Sequence, residues 1–374
     1  MGPGTAGEPL AGRLAVAREA IRRPLSLDYH PLYRFYAGGS LTRTFRGLPG
    51  RADDWWSEDW VGSCTLAGNT DPQGQPQGLS TVGVPGAGRV PLHEIIEALP
   101  AEMVGASFAS QWGPVSAFLV KLLSPAGQVP LHAHPTRAWA RRHLRSPYGK
   151  TEAWILLDTP GDGREPAYAG IGFAPGIDRD WFAAAVRARD SQAIRGTLHR
   201  TEIYPGEVYV AHAGVPHYLG PRLSFIEIQE PSDHIVIPET TGDDDEGATM
   251  GLGWDLALDM IDYTAADAAT TLARARQQPR VLRSSHASRE VRLLGDDVLP
   301  FFDATALEVA DDMEVSDGRF SVAIVASGSG LVETDSGSQP VRRGQTFALP
   351  ASLPFRVRAG TEPVRIIRCL GPAA

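Results

Sequence analysis

Residues 116–157 read SAFLVKLLSPAGQVPLHAHPTRAWARRHLRSPYGKTEAWILL, and the fold is decided by what this stretch holds at His132, His134 and Glu152. One residue, Ala133, separates the two histidines. In an extended strand alternate side chains share a face, so both imidazoles point the same way while Ala133 points the other. Glu152 opens the apolar run Ala153–Leu157, which reads as the next strand and brings a carboxylate to the same interior. A later segment, Gly206-Glu-Val-Tyr-Val-Ala-His-Ala-Gly-Val-Pro-His217, offers two more histidines, His212 and His217, as candidates for a fourth ligand. Three imidazoles and one carboxylate suit zinc, and also accept iron, manganese, cobalt or nickel.

Outward from this core the chain reads as a β protein. Its 374 residues contain 40 glycines and 30 prolines, which cut the sequence into short apolar runs rather than long helices. Ser116–Leu123, Ala153–Asp158, Tyr168–Phe173, Glu207–Val210 and Ser224–Gln229 are expected strands of a first domain. Phe320–Ala326, Gly330–Thr334, Gln345–Pro350 and Arg365–Leu370 are expected strands of a second. Between Pro9 and Pro24, Leu10, Leu14, Ala17 and Ile21 recur at helical spacing. Asp178–Arg189 reads as a capped inserted helix, Thr240–Gly247 as an acidic exposed loop, and Trp254–Ala273 as helical. The expected division is a helical extension over 1–26, a metal-binding domain over 27–237, a linking segment over 238–288, and a second β domain over 289–374 that has no H-x-H pair.

Hydrophobic residues make up 43% of the chain, enough for several cores, and the net charge of −9 gives no general attraction to nucleic acid or anionic lipid. A small molecule or a protein is the expected partner. Only Cys64 and Cys369 are present, far apart, so no disulfide framework is expected. Met1–Pro9 has no basic region leading into an apolar stretch, and nowhere do 18 apolar residues run together. The expected location is the cytoplasm.

The ligand spacing resembles that of cupin barrels; His212 stands where their G-x5-P-x-G-x2-H pattern usually has proline, so the resemblance makes His217 the expected fourth ligand and His212 the decoy. More narrowly, Ser116–Leu157 resembles the core of the type I mannose-6-phosphate isomerases, whose pattern runs F-P-x-L-x-K-x-L, Q-x-H-P and G-K-T-E-x-W. Ser57-Glu58-Asp59-Trp60, the Tyr204–Leu219 segment and the Glu227-Ile228-Gln229 strand resemble further family segments, and the resemblance runs from about Leu32 to Tyr263. It implies two jelly-roll barrels, the second without ligands, and a zinc-dependent exchange of mannose 6-phosphate and fructose 6-phosphate. It also implies an active-site role for Lys150, in GKTE.

Two departures stand out. His132 occupies the place of the family's glutamine ligand, and no Lys or Arg occurs from Leu223 to Ala273, where relatives carry an active-site arginine. Recognition of a phosphate needs cations or backbone N–H groups, which puts an unphosphorylated sugar beside the sugar phosphate as substrate. Arg137, with Arg141, Arg142 and Arg145, is the expected substitute; Trp60 and Trp154 are expected sugar-facing walls. Lys150, Glu202 and Glu239 are the candidate acid–base residues. A cupin oxygenase and a non-catalytic sugar-binding protein are the competing readings.

Overall fold

The computed structural model describes residues 16–50, 52–157, 166–240 and 244–373. Leu10 and Leu14 of the expected first helix, Asp158, and residues 241–243 of the acidic loop lie outside them. The chain is mainly β and forms two barrel-like units packed on one another.

A six-stranded sheet carries the first unit, in the order Val208–Ala211, Glu152–Leu156, Phe225–Gln229, Leu119–Leu123, Glu58–Trp60, Pro31–Leu32. A three-stranded sheet, His217–Leu219, Tyr168–Phe173, Leu198–Glu202, closes the barrel from the other side. The second unit pairs a seven-stranded sheet, from Leu25–Ser26 through Thr346–Leu349, Ser321–Ser327, Val364–Leu370, Asp303–Val309 and Ser288–Arg292 to Arg280–Ser285, with a four-stranded one. Leu25 pairs with Ala348 and Ser26 with Phe347, so this short strand adds an edge to the sheet of the second unit.

Both faces of the six-stranded sheet are covered, which explains why its central strands are buried at every position. Val120, Leu122, Ala153, Ile155, Val208, Val210, Ile226 and Ile228 point outward and share one apolar core with Ala304, Ala306, Val322, Ile324, Ala348, Ile367 and Cys369 of the second unit. The alternate residues point into the first barrel. There Leu123, Trp154, Leu156, Tyr209 and Phe225 meet Ala169, Ile171 and Leu219 of the facing sheet. Period-two alternation therefore sorts one set of strands onto two different neighbours.

The expected strands are found with boundaries moved by no more than three residues. Residues 16–20 are helical, and the inserted helix is Arg179–Arg187 with Asp178 accepting from the Trp181 backbone N–H. Trp254–Ala273 proves to be two helices, Trp254–Asp259 and Ala268–Ala275, separated by an extended segment. The described end of the acidic loop is not irregular: Asp244 caps a short helix, Asp245–Ala248. Helices Leu92–Ala98, Pro100–Val104 and Ala106–Trp112 were not expected from the glycine- and proline-rich texture, and a further short helix spans Arg137–His143. The second β region begins at Arg280, ahead of the expected start near Val291. Among the described residues no helix is long and apolar enough to cross a membrane, and both cysteines are free.

Candidate metal centre and active site

His132, His134, Glu152 and His217 come together inside the first barrel, their ligand atoms all within 4.8 Å of one another. Three structural elements deliver them. His132 and His134 sit not in a regular strand but in an extended segment held by single bridges, His132 to His217 and Ala133 to Val236; the alternation still turns both rings inward. Glu152 begins its strand beside Gln229 and Ala211, and His217 begins the strand opposite. His132 is the most exposed of the four at 6%.

Each ring is fixed by a backbone carbonyl. The Nδ1–H groups of His132, His134 and His217 donate to Pro130 O at 2.7 Å, His234 O at 2.8 Å and Val215 O at 2.9 Å. That sets one tautomer in all three and leaves the Nε2 lone pairs facing inward. Burial, then the neighbouring His217 and His134, pushes His132 well below the ordinary imidazole value; burial, then Lys150, pushes His134 down to about 3. Burial opposes ionisation of Glu152, but the neighbouring positive charge, Lys150 foremost, outweighs it and holds the carboxyl well below its ordinary range.

The result is a carboxylate flanked by two imidazole nitrogens. Glu152 Oε2 lies 3.1 Å from His134 Nε2, and Oε1 lies 3.1 Å from His217 Nε2. Trp154 Nε1–H donates to Oε1 at 2.9 Å and orients the carboxylate. Glu152 Oε2 and His217 Nε2 are buried without a hydrogen-bond donor. Buried acceptors facing acceptors are costly unless a cation lies between them. The donor set, three imidazoles and a carboxylate, fits a divalent metal ion.

Lys150 lies against this group, its Nζ 3.1 Å from His134 Nε2 and 3.3 Å from Glu152 Oε2. The other residues singled out in the sequence have different surroundings. Trp60 is fully buried on the interior wall, donating Nε1–H to Glu58 Oε2 at 2.7 Å with the Lys121 ammonium 5.1 Å above its ring. Glu239 is buried, pairs with Arg195 and accepts the Leu131 N–H at 2.8 Å, so it fixes the residue before His132. Glu202 is exposed and accepts from the Tyr204 hydroxyl, outside the cluster. Arg137 pairs with fully buried Glu230, and His212 pairs with Asp297 at 3.1 Å.

A second cluster, not singled out in the sequence, continues the interior wall. Cross-strand register sets Trp60, Lys121, Glu227, Trp154 and Tyr209 side by side on one face. Lys121 reaches Glu227 at 3.1 Å and Glu58 at 3.7 Å. Arg34 makes two bonds to Asp233, at 2.9 and 3.0 Å, and lies 3.3 Å from Glu58. Burial, then the charge of Glu152, raises the Glu227 carboxyl, which ties the wall electrostatically to the metal-ligand group. The signal was present: Lys121 and Glu227 are single charges inside otherwise apolar runs, LVKLL and FIEIQ.

No family model matches the chain. Two relatives from Bacillus subtilis (strain 168) are named "Putative mannose-6-phosphate isomerase YvyI" and "Probable mannose-6-phosphate isomerase GmuF". The first is 23% identical over 245 residues, 65% of this chain and 72% of the relative; the second is 25% identical over 241 residues, 64% and 70%. The crystal structure of mannose 6-phosphate isomerase from Bacillus subtilis superposes with a TM-score of 0.70 at 21% identity, covering 92% of this chain and 99% of that one. A variant of phosphomannose isomerase from Salmonella typhimurium gives a TM-score of 0.71 at 14% identity, covering 94% and 100%. The fold is that of these cupin-type isomerases over nearly the whole chain, and the relatives in sequence are isomerases by name.

Proposed function

We propose that the protein is a metal-dependent aldose–ketose isomerase, with zinc held by His132, His134, Glu152 and His217. The observation that carries this reading is the buried three-histidine, one-carboxylate group, in which Glu152 Oε2 and His217 Nε2 face inward without a hydrogen-bond donor and Lys150 lies alongside. Exchange of an aldose and a ketose moves a proton between adjacent carbons while carbonyl and hydroxyl change places. The metal, when bound, supplies positive charge to the sugar oxygens that turn negative during that exchange. Lys150 is positioned to hydrogen-bond the same oxygens and pass a proton to them. Glu227, on the interior wall beside Lys121 and Trp154, is the carboxylate we assign to carbon-bound proton transfer. Trp60 and Trp154 supply the apolar faces against which a sugar ring packs.

Mannose 6-phosphate, the substrate in the relatives' names, is the first candidate, and the cytoplasm the expected setting. One observation favours a second reading, an unphosphorylated sugar. Around the ligand group Arg34 is tied to Asp233 and Glu58, Lys121 to Glu227 and Glu58, Arg137 to Glu230 and Arg195 to Glu239, so each of these cations already has an anion. A phosphate dianion would compete with carboxylates for every one of them.

The test is ketose formation from mannose and mannose 6-phosphate side by side, with zinc-loaded protein. Turnover of either supports isomerisation, and their ratio selects between the two substrates. No turnover of any aldose, with oxygen consumed by iron-loaded protein instead, would replace this reading with an oxygenase.

A further inference from the structure

Arg137 follows the His132–His134 segment, yet its guanidinium is taken up elsewhere. It pairs with Glu230, whose side chain is 0% exposed. It also lies over two rings, 4.7 Å from the centroid of Phe301 and 5.6 Å from that of Trp112. Phe301 belongs to the second unit, just ahead of strand Asp303–Val309. Glu230 in turn holds Thr151, the residue between Lys150 and Glu152, from both sides: its Oε2 accepts the Thr151 N–H at 3.0 Å and its own N–H donates to Thr151 O at 3.1 Å. The same turn adds Ser232 Oγ–H donating to Gly149 O at 2.6 Å, while the Lys150 N–H donates to Pro135 O at 2.9 Å.

We propose that Arg137 and Glu230 are a positioning pair that sets the Lys150–Glu152 segment, and that Phe301 of the second unit holds the pair in place. This rests on reading the ligand group as a metal centre. A charged pair at this depth is a weak source of stability in itself, because desolvation offsets most of the attraction. Its geometry, however, is specific: a guanidinium stacked on an aromatic ring is confined in plane, and a carboxylate confined by it presents Oε2 to one backbone N–H. Glu152 and Lys150 flank that N–H, so a shift of the Thr151 backbone displaces a ligand and the neighbouring ammonium together. The second unit thereby acts on the centre through Phe301 while contributing no ligand.

The test compares wild type with the double variant Arg137→Met/Glu230→Gln, which leaves no unpaired buried charge, and with Phe301→Ala. Zinc affinity of the apo proteins is read by calorimetry, alongside melting temperature and the separate kcat and KM of zinc-loaded protein. The expected result is zinc bound about tenfold more weakly by the double variant, as for other groups that orient metal ligands, with a smaller loss in Phe301→Ala. Loss in kcat should exceed any change in KM. Zinc affinity and kcat within twofold of wild type in Phe301→Ala and the double variant, whatever their melting temperatures, would overturn the proposal. Absence of zinc binding by wild type would instead remove the metal-centre reading beneath it.

Discussion

Glu152 Oε1 and His217 Nε2 face each other at 3.1 Å inside the first barrel, and neither brings a proton to the other. Such a contact is sustained by a positive charge placed between the two atoms. Adding zinc to apo protein is therefore expected to raise the melting temperature, by a stabilisation of about 2.7 kcal/mol at a free concentration one hundred times Kd. The variant His132→Ala/His217→Ala should show neither the rise nor stoichiometric metal by elemental analysis. Full metal content in that variant would mean that the ion is held elsewhere.

Lys150 should separate chemistry from binding. Replacing it with Ala removes a proton donor without removing a ligand, so metal content is expected to stay stoichiometric while kcat falls by roughly 10²- to 10⁴-fold. Turnover equal to wild type would strip Lys150 of its assigned role.

Gly149 leaves no room for a side chain. A Cβ there would stand 2.5 Å from Pro135 O, 2.7 Å from Arg137 N and 2.8 Å from Thr136 C, all backbone atoms. Gly149→Ala should cost about 1–3 kcal/mol and weaken metal binding by displacing the adjoining segment. A denaturant melt with a zinc titration checks both, and wild-type values in the two would show that the loop yields freely.

The buried Arg34–Asp233 pair gives a pH signature. Burial alone would raise the Asp233 carboxyl above its usual 3.8, and Arg34 reverses this and holds it well below. A carboxyl lowered by folding stabilises the native state above its unfolded value, and that stabilisation is lost as pH falls further. Asp233→Asn is expected to lose about 3 kcal/mol at neutral pH, because Arg34 is left short of a buried partner. Its stability should also fall less steeply than that of wild type below about pH 4. Parallel curves for the two proteins would contradict the assignment.

The candidate metal cluster was legible because its signal is local: H-x-H shares a face by strand geometry, Glu152 opens an apolar run, and His217 closes a glycine- and proline-marked turn. The charged wall was not, because Lys121, Glu227, Glu58, Arg34 and Asp233 meet only through strand register and loop closure across distant segments. Arg137 shows the limit most clearly. Its place after His134 suggested a hand for the substrate, whereas Phe301 and Glu230, both remote in sequence, claim its guanidinium. The helices between Leu92 and Trp112 escaped notice because prolines and glycines break them into pieces of five to seven residues, too short for a periodic signal.

Strands shared between two neighbours also bear on engineering. A fragment ending before Arg280 would keep all four candidate ligand residues but strip Ala304, Ala306, Val322, Ile324, Ala348, Ile367 and Cys369 from the core that Val120, Leu122, Ile155, Ile226 and Ile228 share. The ligand-bearing half is thus no portable module. Transplanting it would require rewriting the back of its sheet in polar residues, or carrying the ligand-free half along as its permanent cover.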